Sequence, residues 1–274
     1  MSKDFSIIVI SHNTLGILDE CLKRIEAHYP EAETLVVDTA STDGSPDWVE
    51  QNHPNVRLLR VPNRGYAFAV NRGLEAATRP YVVEMNSDVY LNAGDLEVLQ
   101  QALQAHPGAA LAGPALQTPA GRLQSHGPLY APNYWNLRKP RAVRWVSGAL
   151  IMTRKGALEE IGGMDERFFF YNEDLEWCTR ARRKGWQVLL VPRRVLHLGG
   201  SSTPQDPRFL AEGYRGGLLF SRDYYPALHG LHQKAVWLEA RLRIWLDPDP
   251  TRRAGYRMIL DKVCRGGLDR PLLP

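Results

Sequence analysis

Short apolar runs alternate with helical periods through the first ninety residues, and this restricts the chain to a narrow set of folds. FSIIVIS (5–11), TLVVD (34–38), VRLLRV (56–61) and YVVEM (81–85) are β-rich runs, the pattern of parallel strands buried on both faces. Between them, Leu15, Leu18, Leu22, Ile25 and Tyr29 recur at helical spacing. TASTDGSP (39–46) is a loop of turn residues leading to a short helix, and YAFAVNRGLEAA (66–77) reads as helical after the PNRG break. Strand and helix in alternation predict a mostly parallel α/β sheet with helices on both faces. Ligands of such sheets bind beyond the carboxyl ends of the strands. Asp38 and Asp88 fall at strand carboxyl ends, so both belong to one rim.

The remainder is less regular. AALAGPAL (109–116) reads as a strand and 117–142, rich in Pro, Gly, Arg and aromatics, as a long loop or lid. RWVSGALIMTR (144–154) is strand-like, and a short helix follows at 155–161. A helix from Glu173 to Lys184 opens with two carboxylates. QVLLVP (187–192) and VLHL (195–198) read as two short strands. Beyond Pro204 the chain reads as helices, with Leu231, Ala235, Leu238, Leu242 and Trp245 on one face.

Composition narrows the function classes. No apolar run approaches the ~18–20 residues that span a bilayer, and the N-terminus reads as a first strand, not a signal peptide. Three widely spaced cysteines without a CxxC argue against a disulfide framework or zinc site and fit a reducing cytoplasm. Cys21 and Cys178 read as small core residues. After residue 228 there are nine Lys and Arg against five Asp and Glu, and before it 25 of each. The basic excess therefore belongs to the tail, and the main domain gives no reason to expect nucleic-acid binding.

No GxGxxG follows the first strand and no GxxxxGK[ST] occurs, which disfavours nicotinamide, flavin and P-loop readings. The segments SIIVISHNTLGILDECLKRI, VVDTASTDGS, PNRGYAFAVNRGL, VVEMNSDVYL, VLHLGGSST and, most specifically, Trp145 to Trp186 resemble an inverting family-2 glycosyltransferase with the GT-A fold, of the rhamnosyltransferase-like branch. They stand in the family's order and cover most of 5–225.

The resemblance implies a site. Asp38 matches a base reader that accepts from N3–H of uracil or thymine, against the plain alternative of an Asx turn. Asp43 reads as a turn-maker. Asn63, Arg64 and Gly65 match a loop near the nucleotide, with Gly65 allowing close backbone approach. Asn86, Ser87 and Asp88 occupy the metal motif, with Asn86 on the nucleotide side and Asp88 as the single carboxylate for Mg²⁺ or Mn²⁺. His197 matches a histidine near metal and diphosphate, beside Gly199 and Gly200. Asp174 matches the general base and Glu173 its acceptor-side support; acidic residues also favour helix N-termini on their own account.

The reading is a GT-A catalytic domain over 1–225, divided near 115 into nucleotide and acceptor halves, and a basic amphipathic tail over 226–274. It implies transfer of a hexose, plausibly rhamnose, from a UDP- or dTDP-sugar to a saccharide or lipid-linked saccharide acceptor, in polysaccharide or glycoconjugate synthesis. The setting is cytoplasmic. The tail either packs on the domain, forms a homodimer contact or touches the inner face of the membrane. Competing readings are a non-catalytic sugar-nucleotide or glycan-binding module and a nucleotidyltransferase, the latter opposed by the missing Gly-rich loop.

Overall fold

The computed structural model describes residues 2–124, 131–134, 136–199, 206–265 and 267–273. Its first half follows the expected alternation. β1 (Phe5–Ser11), α1 (Leu15–His28), β2 (Glu33–Thr39), α2 (Ser45–Asn52), β3 (Arg57–Val61), α3 (Tyr66–Ala76) and β4 (Tyr81–Asn86) succeed one another. β1 pairs in parallel with β2 and β4, and β2 with β3. Alternate side chains of β1 enter opposite cores. Phe5, Ile7 and Val9 pack with Leu18, Leu22 and Ile25 of α1, and Ile8 and Ile10 pack with Ala67 and Val70 of α3.

The second half contains β5 (Val89–Tyr90), α4 (Asp95–Ala105), β6 (Ala109–Gln117), β7 (Arg141–Val143), β8 (Leu150–Arg154), α5 (Lys155–Ile161), α6 (Glu173–Arg183) and β9 (Gln187–His197). One sheet runs β3-β2-β1-β4-β8-β6-β9-β5, and β7 also pairs with β9. β8 is antiparallel to β4 and β6, and β5 and β7 are antiparallel to β9, while β6 and β9 are parallel. The parallel order therefore belongs mainly to the first half.

Some elements differ from the sequence expectation. α4 was not anticipated, although Leu96, Leu99 and Leu103 sit at helical spacing and are fully buried. The two strands expected at 187–192 and 195–198 are one, because a register shift opposite Pro114 and Ala115 lets β9 carry Pro192 through the sheet. Only 150–154 of the strand-like 144–154 is a strand, and β7 lies inside the stretch expected to be loop. Of that loop, 125–130 and 135 lie outside the described residues, as do Gly200 and the serines after it.

α7 (Pro207–Tyr224), α8 (Pro226–Leu246) and α9 (Pro250–Met258) enclose a third core with Ala211, Leu218, Val236, Ala240, Tyr256, Ile259 and Val263. This helical unit begins at α7, ahead of the boundary expected at 225. α7 also holds the catalytic half. Buried Arg215 pairs with Glu212 and donates to the carbonyls of Arg167 (2.7 Å) and Leu268.

Candidate active site

A cavity of about 560 Å³ opens at the carboxyl ends of β1 and β4. It brings together Asn86, Asp88, Glu173, Asp174 and His197, five of the nine residues singled out in the sequence.

The β4 end supplies one wall. Asp88 is fully buried, and neither carboxylate oxygen has a hydrogen-bond partner among the described residues. β5 follows at once and pairs Val89 with His197 of β9, which sets His197 Nε2 3.3 Å from Asp88 Oδ1, outside hydrogen-bond geometry. Gln124 orients that ring. Its Nε2 donates to the His197 carbonyl (3.0 Å), so its Oε1 is the end facing His197 Nδ1 at 2.6 Å. Nδ1 must then carry a proton, and Nε2 is the end turned toward Asp88.

This donor set fits a divalent ion. A buried carboxylate with both oxygens open, and an imidazole whose other nitrogen is fixed by an outer partner, are ordinary metal donors. Among the described residues no third His, Cys, Asp or Glu joins them. An ion held by Asp88 and His197 would complete its shell with diphosphate oxygens and water. Gly199, at φ +70°, owes its bare Cα to Gln124, whose Nε2 would lie 2.9 Å from an added Cβ.

The opposite wall is the start of α6. Tyr171 and Asn172 both have φ +69°, a left-handed conformation that is costly for tyrosine. α7 holds them there: the Asn172 amide donates to the Gly213 carbonyl at 2.9 Å, and an added Cβ at Gly216 would meet Asn172 Nδ2 at 2.7 Å. The resulting turn points Glu173 and Asp174 into the cavity. Asp174 Oδ2 accepts from the Gly148 amide (2.8 Å) and Oδ1 from its neighbour Leu175 (2.7 Å). Glu173 is buried, and its Oε2 has no hydrogen-bond partner among the described residues.

Burial raises the pKa of both carboxyls. For Asp174 the amides of Gly148 and Leu175 pull the other way. Glu173 is raised well above the usual range, with the Asp174 charge adding to burial. Of the two, Asp174 has backbone donors that favour its charged form, while Glu173 Oε2 has no hydrogen-bond partner among the described residues.

Beneath Asp174 lies a residue the sequence reading passed over. Glu84, in the middle of β4, is 1% exposed, and burial pushes its carboxyl well above the usual range. The Tyr66 hydroxyl lies 2.8 Å from Glu84 Oε2 and 2.9 Å from the Gly148 carbonyl. One hydroxyl proton cannot serve both. The carbonyl can only accept, so a protonated Glu84 donating to Tyr66 satisfies both contacts. A carboxylate inside YVVEM was the available signal; for Gln124 the sequence offered none.

The remaining candidates stand outside the cavity. Asp38 is 2% exposed; its Oδ1 accepts from Ser41 N (2.9 Å), as an Asx turn does, while Oδ2 has no hydrogen-bond partner among the described residues. Asp43 makes the turn that starts α1 and α2, accepting from Leu15 N and Ser45 N. Arg64 lies over the Phe68 ring, 4.6 Å from its centre. Asn63 Oδ1 faces the Gly65 amide at 3.4 Å. At Gly65 (φ +99°) the close approach is to the protein's own backbone, since an added Cβ would meet the Phe169 carbonyl at 2.6 Å.

The glycosyl transferase family 2 pattern matches residues 6–162, more than half of the chain. The chain belongs to glycosyl transferase family 2. Residues 134–246 add a match to glycosyl transferase family group 2. The N-acetylglucosaminyl-diphospho-decaprenol L-rhamnosyltransferase of Mycobacterium tuberculosis is 31% identical over 227 residues, covering 69% of this chain and 74% of that protein. The low-salt glycan biosynthesis hexosyltransferase Agl10 of Haloferax volcanii is 29% identical, over 69% of this chain and 64% of its own length. In fold, this family 2 glycosyltransferase is similar to the mannosyltransferase PcManGT from Pyrobaculum calidifontis, solved with GDP-Man and Mn²⁺. That match has a TM-score of 0.61 at 20% identity and covers 97% of this chain and 83% of that one. Among the described residues no helix is long and apolar enough to cross a membrane.

Proposed function

We propose that this family 2 enzyme transfers a hexose, rhamnose by likeness to the mycobacterial relative, from a UDP- or dTDP-sugar to a saccharide hydroxyl with inversion. The observation that carries the reading is one cavity with two differently prepared walls. Asp88 and His197 offer open donors on one side, and Asp174 presents a carboxyl held by the Gly148 amide on the other.

In a single displacement the acceptor oxygen attacks the anomeric carbon from the side opposite the diphosphate. The bond to the diphosphate breaks with its electron pair leaving on phosphate oxygen, and the hydroxyl proton passes to Asp174. Gly148 and Leu175 donate to Asp174, which favours its charged form and aims it. A divalent ion at Asp88 and His197 would neutralise charge on the leaving diphosphate. The open Oδ2 of Asp38, at the end of β2, has the acceptor chemistry to take N3–H of uracil or thymine. The mycobacterial relative's name supports a saccharide acceptor carried on a lipid diphosphate, and the Haloferax relative's name supports a role in glycan biosynthesis.

Incubating the protein with a panel of UDP- and dTDP-sugars and a synthetic short-chain lipid-diphosphate saccharide tests the reading. Transfer with an inverted anomeric configuration, lost in Asp174→Asn, is expected. A product of retained configuration would overturn the mechanism.

A further inference from the structure

The apolar stripe of the C-terminal region faces outward. α8 turns Val236 and Ala240 into the third core. Its opposite side carries Leu231, Leu238, Leu242 and Trp245, which are 69%, 54%, 53% and 88% exposed, with Leu228 and Leu246 beside them. Six large apolar side chains on one exposed sector exceed what a solvated helix carries singly. Of the alternatives open for the tail, packing of this stripe on the domain is therefore the one that the exposure of these side chains opposes.

Basic residues border the sector. Lys234 and Arg241 lie seven residues apart, on one edge. Arg241 stacks over the Trp237 ring, 4.8 Å from its centre, which keeps its charge at the edge. Arg243 lies along the other edge, 3.6 Å from Glu239. The same helix carries His232 into a second cavity of about 670 Å³, lined also by Phe209, Leu210 and Tyr214, and Tyr171 lines both this cavity and the catalytic one.

We infer that the outward face of α8 docks on an anionic lipid bilayer, lying in the interface plane with its leucines and Trp245 among the acyl chains and Lys234, Arg241 and Arg243 at the head groups. An amphipathic helix with leucine and tryptophan on one face and lysine and arginine at its borders matches that surface in both polarity and charge. A second copy of the chain matches it less well. Two such helices packed antiparallel would set the Lys234 and Arg241 edge of one against the same edge of the other, opposing like charges.

Vesicle flotation of the full chain tests this, with phosphatidylcholine alone and with added phosphatidylglycerol. Binding to the anionic vesicles that weakens with salt is expected. Lys234→Ala and Arg241→Ala should each lower the partition coefficient about fivefold, and the pair Leu238→Glu with Leu242→Glu should abolish it. These side chains are exposed, so folding is retained, and an unchanged circular dichroism melt checks that. Absence of binding to anionic vesicles overturns the proposal. So does a wild-type dimer in sedimentation that the two leucine changes dissociate while vesicle binding is absent. Binding unaffected by the leucine changes also overturns it, by assigning the contact to another surface.

Discussion

A single peptide group joins Tyr66 to Asp174. The Gly148 carbonyl accepts from the Tyr66 hydroxyl at 2.9 Å, and the Gly148 amide donates to Asp174 Oδ2 at 2.8 Å. Glu84 stands behind Tyr66, so the chain Glu84, Tyr66, Gly148, Asp174 delivers hydrogen-bond donors in one direction, toward the base. Such a chain stiffens and polarises along its length. An added Cβ at Gly148 would lie 3.1 Å from that of Asp174 and crowd it.

Asp174→Asn is expected to keep the fold and nucleotide binding and to lower kcat by ~10²–10⁴, the usual worth of a general base. Glu173→Gln should cost less, since burial and the Asp174 charge favour the neutral form of Glu173. In the wild type the acid limb of the kcat/KM profile should lie above the ordinary aspartate value of 3.8, because burial raises the Asp174 pKa. Steady-state rates across pH decide both points, and a dead Glu173→Gln beside an active Asp174→Asn would reverse the two roles.

Tyr66→Phe should lower kcat by about two- to tenfold, the loss of one hydrogen bond of ~0.5–1.5 kcal/mol, with KM for the donor little changed. Glu84→Gln should remain near wild type, since its amide can still donate to Tyr66. Stability gives a separate reading. A carboxyl whose folded pKa is raised favours folding below its unfolded value of 4.5 and loses that advantage as pH climbs toward the folded value. The melting temperature of Glu84→Gln relative to wild type should therefore rise with pH above about 4.5. A difference that stays flat from acid to neutral pH would show Glu84 to be ionised in the fold.

Gln124 touches His197 and lines no part of the cavity, so its contribution should appear in ion affinity. Gln124→Leu frees the imidazole to rotate and to change tautomer. Mn²⁺ affinity in the presence of UDP, read by isothermal titration, should fall about 10–100-fold, the usual range for losing an outer partner of a metal-bound histidine. Asp88→Ala should remove measurable binding and most of the activity. Full wild-type activity in excess EDTA would instead leave the diphosphate to basic side chains.

Asp38→Ala should weaken UDP or dTDP binding by ~1–3 kcal/mol, the scale of a charge-assisted hydrogen bond. Its Oδ1 also holds the turn at Ser41, so Asp38→Asn is the sharper change: it can keep the turn while presenting an amide to the base. Loss of uracil preference in Asp38→Asn without loss of thermal stability would separate base reading from turn-making.

Much of this arrangement was legible because it is local. β1 to β4 announce themselves by period and by β-branched residues, and their carboxyl ends fix where Asp38 and Asp88 lie. Glu173 and Asp174 could be placed at a helix start by spacing and by resemblance. What escaped depends on pairings distant in sequence. Gln124 meets His197 across 73 positions and Tyr66 meets Gly148 across 82, and no periodicity encodes either. The left-handed turn at Tyr171 and Asn172 is equally silent, because its cause is α7, some forty residues on. The tail's three alternatives stayed open in the sequence for a related reason: an apolar stripe shows that a helix has a side, and the neighbours decide whether that side is covered.

α7 belongs to two assemblies at once. Ala211 and Leu218 enter the C-terminal core, while Gly213, Arg215 and Gly216 grip the loop ahead of the base. A chain severed after Tyr225 would thus lose more than an appendage. It would bare the back of α7 to water, loosen its grip on Asn172 and let the strained turn relax, and the enzyme would fail at its base while every residue of its catalytic cavity was still present.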